Sequence, residues 1–412
     1  MTSKFKDPKR RVVVTGLGVV SSLGIGVDDF WKNLIAGKSG ISEIESFDTS
    51  AYPVHKGGEV KNFKPEQFID RRKIKSLGRA SQMAIAAAKL AIQDAKLKHS
   101  DVTKGGVILG TTMGEAQILE LLDKIWVEKG QNELTYGLIS AYLSNNLSLN
   151  VGIELWTSNF NAVMPTACSS SNYAIGYGFD LISFGSAEVM FCGGSDAFSK
   201  VAFTGFNRLL AMAPEKCQPF DKNRKGMMLG EGAGILVLES LEHAEKRGAK
   251  IYAEILGYGL SCDAHHMTQP SENGIAKCIE KAIRESGISK DDIDYISAHG
   301  TGTPQNDKAE CAAFKKVFEE RAKNIPISSI KSALGHTMGA ASAIEAITCS
   351  KVIVESVLPP TINFETKDEE CDIDCVPNEA RKKMVKMVLN NSCAFGGNDA
   401  CVVLNFFPNR NA

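Results

Sequence analysis

Apolar residues recur along the chain in short runs that polar and glycine-containing turns separate. Runs of this length predict buried strands, here at Arg11–Val19, Gly106–Leu109, Val163–Met164, Glu188–Cys192, Ala233–Glu239, Tyr252–Gly259, Asp294–Ala298, Met387–Asn391 and Ala400–Phe406. A spacing of three to four residues predicts helices instead, at Ala80–Asp94, Gly274–Ser286 and Ala340–Val354. The alternation of the two patterns indicates an α/β fold. Residues 115–160 follow neither period clearly.

The composition is that of a globular protein with a large core, because 43% of the 412 residues are hydrophobic and 23% are charged. This length indicates two domains or a duplicated one. A net charge of −1 argues against nucleic acid as the main partner. The longest apolar runs are too short for a transmembrane helix, and we expect no signal peptide. We therefore expect a cytoplasmic protein whose cysteines, including Cys371 and Cys375, are free thiols.

One cysteine, Cys168, lies in a segment of small and polar residues, Pro165–Asn172, after a short apolar run. This pattern predicts a strand, a sharp turn and then a helix. A thiol at a helix N-terminus faces unpaired N–H groups and the positive end of the helix dipole, which lowers its pKa and favours the nucleophilic thiolate. The alternative is a buried cysteine that packs as a small hydrophobic residue.

Two histidines also lie where predicted elements end. His299 follows an apolar strand and precedes a glycine–threonine loop, and His336 precedes a helix of small residues. Such positions commonly expose functional groups from a rigid scaffold. Neutral imidazoles there could donate hydrogen bonds to a developing oxyanion, and a cysteine could carry an acyl group. Because Cys168, His299 and His336 are far apart in the chain and match no metal-ligand spacing, we expect no metal at them.

Five motifs together resemble the elongating β-ketoacyl-acyl carrier protein synthases, closest to the type II condensing enzymes of the thiolase-like superfamily. In chain order they are Thr166–Ser171, Pro219–Gly226 with Leu229–Gly234, His299–Thr303 with Asp307–Glu310, Lys331–His336, and Phe395–Gly397. The N-terminal run Arg11–Val20 also fits the family pattern, so the resemblance covers nearly the whole chain.

The resemblance implies a thiolase-like fold of two topologically similar βαβ-type halves in a layered αβαβα arrangement. The first half, residues 1–255, would carry Cys168 and an insertion at about 115–160 that lines a dimer interface and an acyl tunnel. The second half, residues 256–412, would carry both histidines. The expected assembly is a homodimer or a heterodimer with a related subunit, working with an acyl carrier protein.

The resemblance also implies a decarboxylative Claisen condensation. Cys168 would take the acyl group, and His299 and His336 would bind the malonyl thioester and stabilise its enolate. The backbone N–H groups of Cys168 and Phe395 would form the oxyanion hole, and Phe395 would also gate the pocket. No metal or redox cofactor is required, and the phosphopantetheine arm of the carrier protein brings the substrate.

Further residues take expected roles from the matched motifs. Lys331 and Glu345 would support His336, although each has a solvated position as its alternative. Thr301 and Thr303 would bind the pantetheine arm, Met113 and Phe206 would line the acyl tunnel, and Asp307 and Glu310 would anchor the loop after His299. A monovalent cation would bind at Ser297, Glu345, Asn390 and Asn391. The carrier protein would dock on a basic cluster of Arg71, Arg72, Lys73 and Lys75.

The chain departs from the family near its C-terminus. Type II fatty-acid enzymes usually read Ser-Phe-Gly-Phe-Gly-Gly-Thr-Asn there, whereas this chain reads Ser392-Cys-Ala-Phe-Gly-Gly-Asn-Asp399. Ala394 in place of a glycine should stiffen the hinge beside Phe395, and Cys393 should change which acyl chains enter. Ser342 also replaces a family glycine.

Several other assignments stay open. The residues around Cys168 and His299 are closer to the motifs of polyketide-type condensing enzymes. A ketosynthase of a specialised polyketide, polyene or unusual-lipid pathway is therefore one alternative. A thiolase-like acyltransferase that uses CoA is another, with Cys393 as its second cysteine. An initiation-type synthase would carry asparagine at position 336, and a non-catalytic chain-length factor would lack Cys168.

Overall fold

The computed structural model describes residues 10–408 and contains every strand and helix predicted above. Residues 1–9 and 409–412, which complete the two predicted halves, lie outside the described residues. Ten strands form the path of the central sheet, and Gly24–Ile25 pairs beside the first of them. The ten are β1 Val12–Ser21, β2 Gly106–Gly110, β3 Asn161–Met164, β4 Val189–Asp196, β5 Gly232–Ser240, β6 Ala253–Cys262, β7 Tyr295–Ser297, β8 Ile327–Ser328, β9 Met387–Ser392 and β10 Asn398–Asn405.

The longer helices are α1 Val27–Ile35, α2 Arg79–Ala95, α3 Ala116–Lys129, α4 Tyr136–Ala141, α5 Asn146–Leu155, α6 Ser170–Ser183, α7 Lys200–Arg208, α8 Leu241–Lys246, α9 Glu272–Glu285, α10 Pro304–Phe318 and α11 Ala341–Glu355. The structure also has three four-residue helices, at Arg71–Ile74, His99–Val102 and Lys331–Leu334, and two small two-stranded sheets, Ser42–Glu43 with Lys56–Gly57 and Val357–Leu358 with Arg381–Lys382. Seven short 3₁₀ helices complete the secondary structure of residues 10–408. Between residues 10 and 408, no helix combines the length and apolarity needed to cross a bilayer.

The sheet confirms two halves of the same topology. Its order is β8-β7-β9-β10-β6-β1-β5-β4-β2-β3. Counted from the middle of the sheet to its edge, the strands of each half are the first, fifth, fourth, second and third of that half in chain order. In both halves the two inner pairings are antiparallel and the two outer pairings are parallel. The predicted division after residue 255 falls inside β6, whose first residues pair with β1 and join the half-sheets.

Two helices, α6 and α11, form the central layer and contact strands of both halves, while α2 and α9 cover the outer faces. The α11 helix is buried along almost its whole length because most of its residues are small or apolar. On the outer face, a Cβ on Gly18 would lie 1.9 Å from the Ala87 carbonyl oxygen, so glycine is needed for α2 to pack this closely on β1. The layered arrangement brings the N-terminal ends of α6 and α11 together.

The region 115–160 is helical, which its sequence did not indicate. Its helices α3, α4 and α5 leave large apolar side chains exposed, among them Trp126, Tyr136, Ile153 and Trp156. Apolar residues therefore lie on both their inner and outer faces, and no single hydrophobic stripe marks the helical period.

Candidate active site

Cys168 lies at a tight elbow between β3 and α6. The single turn Ala167–Ser169 connects the two elements, and Ala167 has a φ of 52°, a left-handed conformation that is unusual for a residue with a side chain. Hydroxyl groups hold this turn: Ser170 Oγ accepts the Thr166 N–H at 2.9 Å, and Ser392 Oγ donates to the Cys168 carbonyl at 3.2 Å. The predicted strand–turn–helix arrangement around Cys168 is thus present.

The fold gathers the three residues that are separated in sequence. The Cys168 Sγ and one ring nitrogen each of His299 and His336 all lie within 4.8 Å of one another. The two imidazole rings are edge to face, with centroids 5.4 Å apart. A thiol and two imidazoles at this spacing form a possible ligand set for a soft cation, and the expectation that no metal binds these residues stays a prediction. The positive charge of Lys331, which acts on all three groups, opposes a bound cation.

His336 is held as a hydrogen-bond donor. The Met338 N–H donates to His336 Nδ1 at 3.1 Å, so the ring hydrogen lies on Nε2. Nε2 is buried and has no hydrogen-bond partner among the described residues, and His336 lines the cavity that Cys168 also lines. His299 also lines this cavity, and its Nδ1 lacks a partner among the same residues.

Both imidazoles are neutral at neutral pH. Burial lowers the pKa of His299 and of His336 well below 6.5, and the Lys331 charge lowers both pKa values further. A neutral imidazole can donate one N–H to a developing oxyanion without first losing or gaining a proton.

The expected low pKa of Cys168 is not supported. Burial raises the pKa of this thiol to about 12, although the charge of Lys331 acts in the opposite direction. Desolvation by the surrounding chain outweighs the favourable position before α6. The resting group is therefore a thiol, and its proton must leave when the sulfur becomes a nucleophile.

Lys331 and Glu345 form an ion pair behind the histidines. Both side chains are almost completely buried, so the alternatives of a solvated loop lysine and a solvated helix face were wrong. Burial raises the pKa of Glu345, against the effect of Lys331. The pair keeps a positive charge next to His299 and His336 and thereby favours their neutral forms.

Replacing Lys331 by methionine should lower the free energy of unfolding by about 3–5 kcal/mol, because it leaves the Glu345 carboxylate buried without its partner. Denaturant unfolding monitored by circular dichroism measures the change. As a matched control, Lys290→Met breaks the surface pair with Glu319, and we expect a loss below about 1 kcal/mol. The double variant Lys331→Met/Glu345→Leu should recover most of the stability; equal stability of Lys331→Met and the wild type would contradict the prediction.

The buried carboxyl groups of Asp307 and Glu310 hold the loop that contains His299, which is the anchoring role expected for these two residues. Glu310 accepts the N–H groups of His299 and Gly300 at 2.7 and 2.8 Å. Asp307 accepts the Gly302 N–H at 3.2 Å and the Phe220 N–H at 2.8 Å. Burial raises the pKa of Glu310 to about 7. These contacts fix the position of the His299 backbone.

Sequence reasoning missed Asp196, a fully buried residue at the end of β4. Its carboxyl group accepts hydrogen bonds from Thr111 Oγ1 and from the N–H groups of Thr112, Met113 and Gly339, all at 2.7–2.9 Å. It therefore ties the loop after β2 to the loop that follows His336. Burial raises the pKa of Asp196 to about 6. The sequence holds one signal for this role, since Asp196 is a lone aspartate that follows an apolar run.

A cavity of about 340 Å³ opens onto Cys168. Thr301, Thr303 and Phe206 line it, and the two threonine hydroxyls are hydrogen-bonded to each other at 2.9 Å. Their binding roles stay predictions. Met113, expected along the acyl tunnel, does not line this cavity; it packs against the apolar cluster that contains Met338, because Asp196 holds its backbone.

The Phe395 segment stands at the cavity entrance. Phe395 is 37% exposed, and its ring centroid lies 6.0 Å from that of Phe206. Gly396 and Gly397 have φ values of 79° and 75°, which require glycine or strain. Ala394 is extended, with φ −137° and ψ 152°. Any residue adopts this conformation, so alanine causes no strain there, and the expected stiffening of the hinge stays a prediction.

The predicted cation site fits the structure at three of its four residues. Ser297 Oγ, Glu345 Oε2 and Asn390 Oδ1 are buried and have no hydrogen-bond partner among residues 10–408, and Ser297 is directly opposite Asn390 in the sheet. Asn391 does not fit, because its amide donates to Glu310 and accepts from Cys401. The first three oxygens stay a predicted cation site.

A doubled α/β fold with a buried thiol and two neutral imidazoles at its centre defines a thiolase-like acyltransferase of the condensing class. The Beta-ketoacyl synthase N-terminal domain model matches residues 9–244, and the C-terminal domain model matches residues 252–365. The chain therefore belongs to the beta-ketoacyl synthase family.

Similar proteins and structures agree over nearly the whole chain. The 3-oxoacyl-[acyl-carrier-protein] synthase 2 of Synechocystis sp. is 40% identical over 95% of this chain and 97% of its own length. The protein of the same name from Coxiella burnetii is 39% identical over 96% of this chain and 98% of its own. The solved structure titled as the ishigamide ketosynthase/chain length factor has a TM-score of 0.94 and 44% identity, covering 97% of this chain and 100% of that chain.

Proposed function

We propose that this protein catalyses the decarboxylative Claisen condensation of an acyl thioester held on Cys168 with malonyl-acyl carrier protein, giving 3-oxoacyl-acyl carrier protein. The observation that carries this function is the grouping of Cys168, His299 and His336 within 4.8 Å, in a buried cavity where both imidazoles are neutral. A non-catalytic subunit has no use for such a group. The CoA-dependent thiolase alternative is disfavoured because the matching relatives are carrier-protein synthases.

In the first half-reaction the Cys168 sulfur attacks the acyl thioester carbonyl. The thiol proton passes to His299, one ring nitrogen of which lies within 4.8 Å of the sulfur. The tetrahedral intermediate then expels the carrier thiol, which takes up a proton. The backbone N–H groups of Cys168 and Phe395 stabilise the oxyanion in this proposal.

In the second half-reaction the histidines act on the malonyl group. Its thioester oxygen accepts a hydrogen bond from the His336 Nε2–H and another from His299. The bond to the carboxylate breaks, carbon dioxide leaves, and the electron pair forms an enolate. The enolate carbon attacks the acyl carbonyl on Cys168, the carbon–sulfur bond breaks, and the released thiolate takes up a proton from solvent. These steps require no metal or redox cofactor from the protein.

The carrier protein is the proposed partner, through the phosphopantetheine arm that enters the cavity. One similar structure is a type II polyketide ketosynthase in complex with its acyl carrier protein, with 34% identity and a TM-score of 0.89. All four residues of the basic cluster predicted as a docking patch are exposed. Arg72 also pairs with Asp70, and Lys73 with Glu154. In this proposal the exposed cluster steers an acidic carrier.

The test of the proposed function is incubation with acyl-carrier proteins of graded chain length, followed by peptide mass spectrometry and product analysis with malonyl-carrier protein. We expect an acyl adduct on Cys168 and a 3-oxoacyl product. Absence of the adduct with every chain length and with acyl-CoA would exclude the function, and an adduct from acyl-CoA alone would favour the thiolase alternative. Preference within the panel separates fatty-acid from polyketide or unusual-lipid elongation.

The residue at position 393 should influence which acyl chains enter, and the informative change is Cys393→Phe with Ala394→Gly. Cys393 is 2% exposed and lines the cavity, so a phenyl ring there must occupy cavity space. We expect a shift of the preferred acyl length by two or more carbons, about a tenfold change in relative kcat/KM between the longest and shortest accepted chains. Ala394→Gly alone is the control, and an unchanged profile in the double variant would contradict the prediction.

We infer that a second copy of the chain covers the surface formed by α5, β3 and the neighbouring side of α6, named here the α5–β3 face. Its exposed apolar residues include Ile153 on α5, Trp156 and Phe160 between α5 and β3, and Tyr177 on α6. β3 pairs with β2 on one side, and within residues 10–408 its other edge is open. An open edge beside apolar residues favours pairing with another chain, and two identical edges can meet about a two-fold axis.

Replacing Ile153 and Trp156 by glutamate should therefore convert a dimer into a monomer, because it places two charges in the proposed interface. Sedimentation equilibrium measures the mass. Met384→Glu is the matched control, since Met384 is as exposed as Trp156, at 76% against 74%, but lies elsewhere. A wild-type monomer would contradict the homodimer, unless co-expression with a related subunit yields a mixed dimer that the same substitutions break.

All eleven cysteines are free in the structure. This supports a reducing compartment, and we propose the cytoplasm as the site of action.

A further inference from the structure

A chain of three hydrogen bonds links a thiol behind the active site to the backbone of His299. Cys401 on β10 is directly opposite Asn391 on β9 in the sheet, and its thiol donates to Asn391 Oδ1 at 2.8 Å. The Asn391 amide donates to Glu310 Oε1 at 2.7 Å, and the same oxygen accepts the His299 N–H at 2.7 Å. Neither Cys401 nor Asn391 lines the cavity. Their connection to His299 runs through Glu310.

Burial makes each of these hydrogen bonds important. Cys401, Asn391 and Glu310 are fully buried, and a buried polar group that loses its partner costs free energy. Each group therefore restricts the position of the next. Burial raises the pKa of Glu310 to about 7, while the bonds from the Gly300 N–H and the Asn391 amide act in the opposite direction. The Asn391 bond thus favours the carboxylate, the form in which both oxygens are free to accept N–H groups.

The Asn391 amide has one orientation that satisfies both of its neighbours. Its oxygen can only accept hydrogen bonds and its nitrogen can only donate them. The oxygen faces the Cys401 thiol, the nitrogen faces the Glu310 carboxyl group, and the Cys393 sulfur lies 3.7 Å from the same nitrogen. If the amide were turned over, its oxygen would face a carboxylate and its N–H groups would face a thiol hydrogen. The Cys401 thiol therefore helps to determine which way the amide points.

A second buried thiol, Cys278 on α9, lies against Cys401 and does not compete for Asn391. The two sulfurs are 3.5 Å apart, and the Cys278 thiol has the Gly259 carbonyl as an acceptor at 3.2 Å. Glycine is needed at position 259 for this packing, because a Cβ there would lie 2.2 Å from the Cys278 carbonyl oxygen. Since an amide oxygen never donates, the hydrogen between Cys401 and Asn391 belongs to Cys401. Cys278 therefore shares the surroundings of Cys401 but takes no part in the three hydrogen bonds.

We propose that Cys401 is a positioning residue for His299. Its thiol orients the Asn391 amide, the amide holds Glu310, and Glu310 holds the backbone of His299 where a ring nitrogen lies within 4.8 Å of the Cys168 sulfur. The role of His299 in decarboxylation rests on the function proposed above, whereas the chain of hydrogen bonds does not. Cys401 and Asn391 are not catalytic residues, because neither touches the reacting atoms.

The first experiment measures the backbone directly, by hydrogen–deuterium exchange mass spectrometry of the peptide that contains His299 and Gly300 in the full-length protein. Cys401→Ala removes the thiol donor, and we expect the two amides to exchange about tenfold faster, because their acceptor is held less firmly. Cys401→Ser keeps a donor in the same place and should exchange within about twofold of the wild type. Cys278→Ala is the matched control, since it removes the neighbouring sulfur and leaves the three hydrogen bonds intact. It should exchange at the wild-type rate.

Exchange at the wild-type rate in Cys401→Ala would overturn the proposal, because the loop would then be held without the thiol. Equal acceleration in Cys401→Ser and Cys401→Ala would also overturn it, since the effect would come from lost sulfur packing and not from the lost donor. The same holds for equal acceleration in Cys278→Ala. Cys401→Val covers the case in which Cys401→Ala does not fold, because valine fills the space of the sulfur but cannot donate. It too should exchange about tenfold faster, and wild-type exchange in this variant would overturn the proposal.

The second experiment measures carbon dioxide release from malonyl-carrier protein. We expect kcat to fall about tenfold in Cys401→Ala and Cys401→Val with KM within about twofold, because a displaced His299 stabilises the enolate less well while the carrier still binds. Cys401→Ser should restore kcat to within about twofold of the wild type, and Cys278→Ala should leave it unchanged. An unchanged kcat in both variants that lack the donor would overturn the proposal. A wild type that releases no carbon dioxide would refute the proposed function instead, and the exchange experiment would still decide the role of Cys401.

Discussion

Replacing Cys168 by alanine should abolish condensation, with a loss of at least about 10⁴-fold in kcat. The sulfur of Cys168 lies within 4.8 Å of a ring nitrogen of His299 and of His336. Without this sulfur no acyl-enzyme forms. The variant should still release carbon dioxide from malonyl-carrier protein, because His299 and His336 remain in place. Product analysis, adduct mass spectrometry and carbon dioxide release measure the three quantities separately.

Cys262→Ala is the matched control, because Cys262 is a free but exposed thiol and should be dispensable for acyl transfer. Condensation by Cys168→Ala within tenfold of the wild type would remove Cys168 from the mechanism. A normal circular dichroism spectrum of the variant is required, and we expect one because alanine fills the site with the loss of a single sulfur atom.

His299→Ala and His336→Ala should still accept acyl groups on Cys168 to some degree, more slowly in His299→Ala because His299 is the proposed acceptor of the thiol proton. Each should lose malonyl decarboxylation by about 10²–10³-fold. The structure gives the reason most clearly for His336, whose Nδ1 is occupied by the Met338 N–H and whose Nε2–H is left without a partner among the described residues. Each substitution removes a neutral donor from the site where the enolate oxygen develops. Carbon dioxide release from malonyl-carrier protein and the initial rate of adduct formation check the two steps.

His99→Ala is the control for these variants, since His99 is exposed and outside the cavity. A wild-type decarboxylation rate in either histidine variant would exclude that residue from enolate stabilisation. His336→Gln adds a sharper comparison, because a glutamine amide can still donate a hydrogen bond and should retain more activity than alanine.

Local patterns in the sequence were sufficient for the repeating elements and for the elbow at Cys168. The long apolar runs of β1 and β5 and the helical spacing of α2 predict these elements within about two residues. Local patterns failed at α3 to α5, because a surface with apolar residues on both sides shows no single period. They also missed Asp196, whose importance comes from bonds to residues far along the chain.

The sequence by itself determined the α/β class, the family motifs, and the placement of Cys168, His299 and His336 at element ends. Only the tertiary structure decided how these groups behave. Packing of the two halves brings them within 4.8 Å, buries Lys331 with Glu345, and raises the pKa of Cys168 where the helix position alone predicts a fall. The physical reason is that desolvation and charge–charge interactions depend on which distant segments surround a group, and a linear pattern does not contain that information.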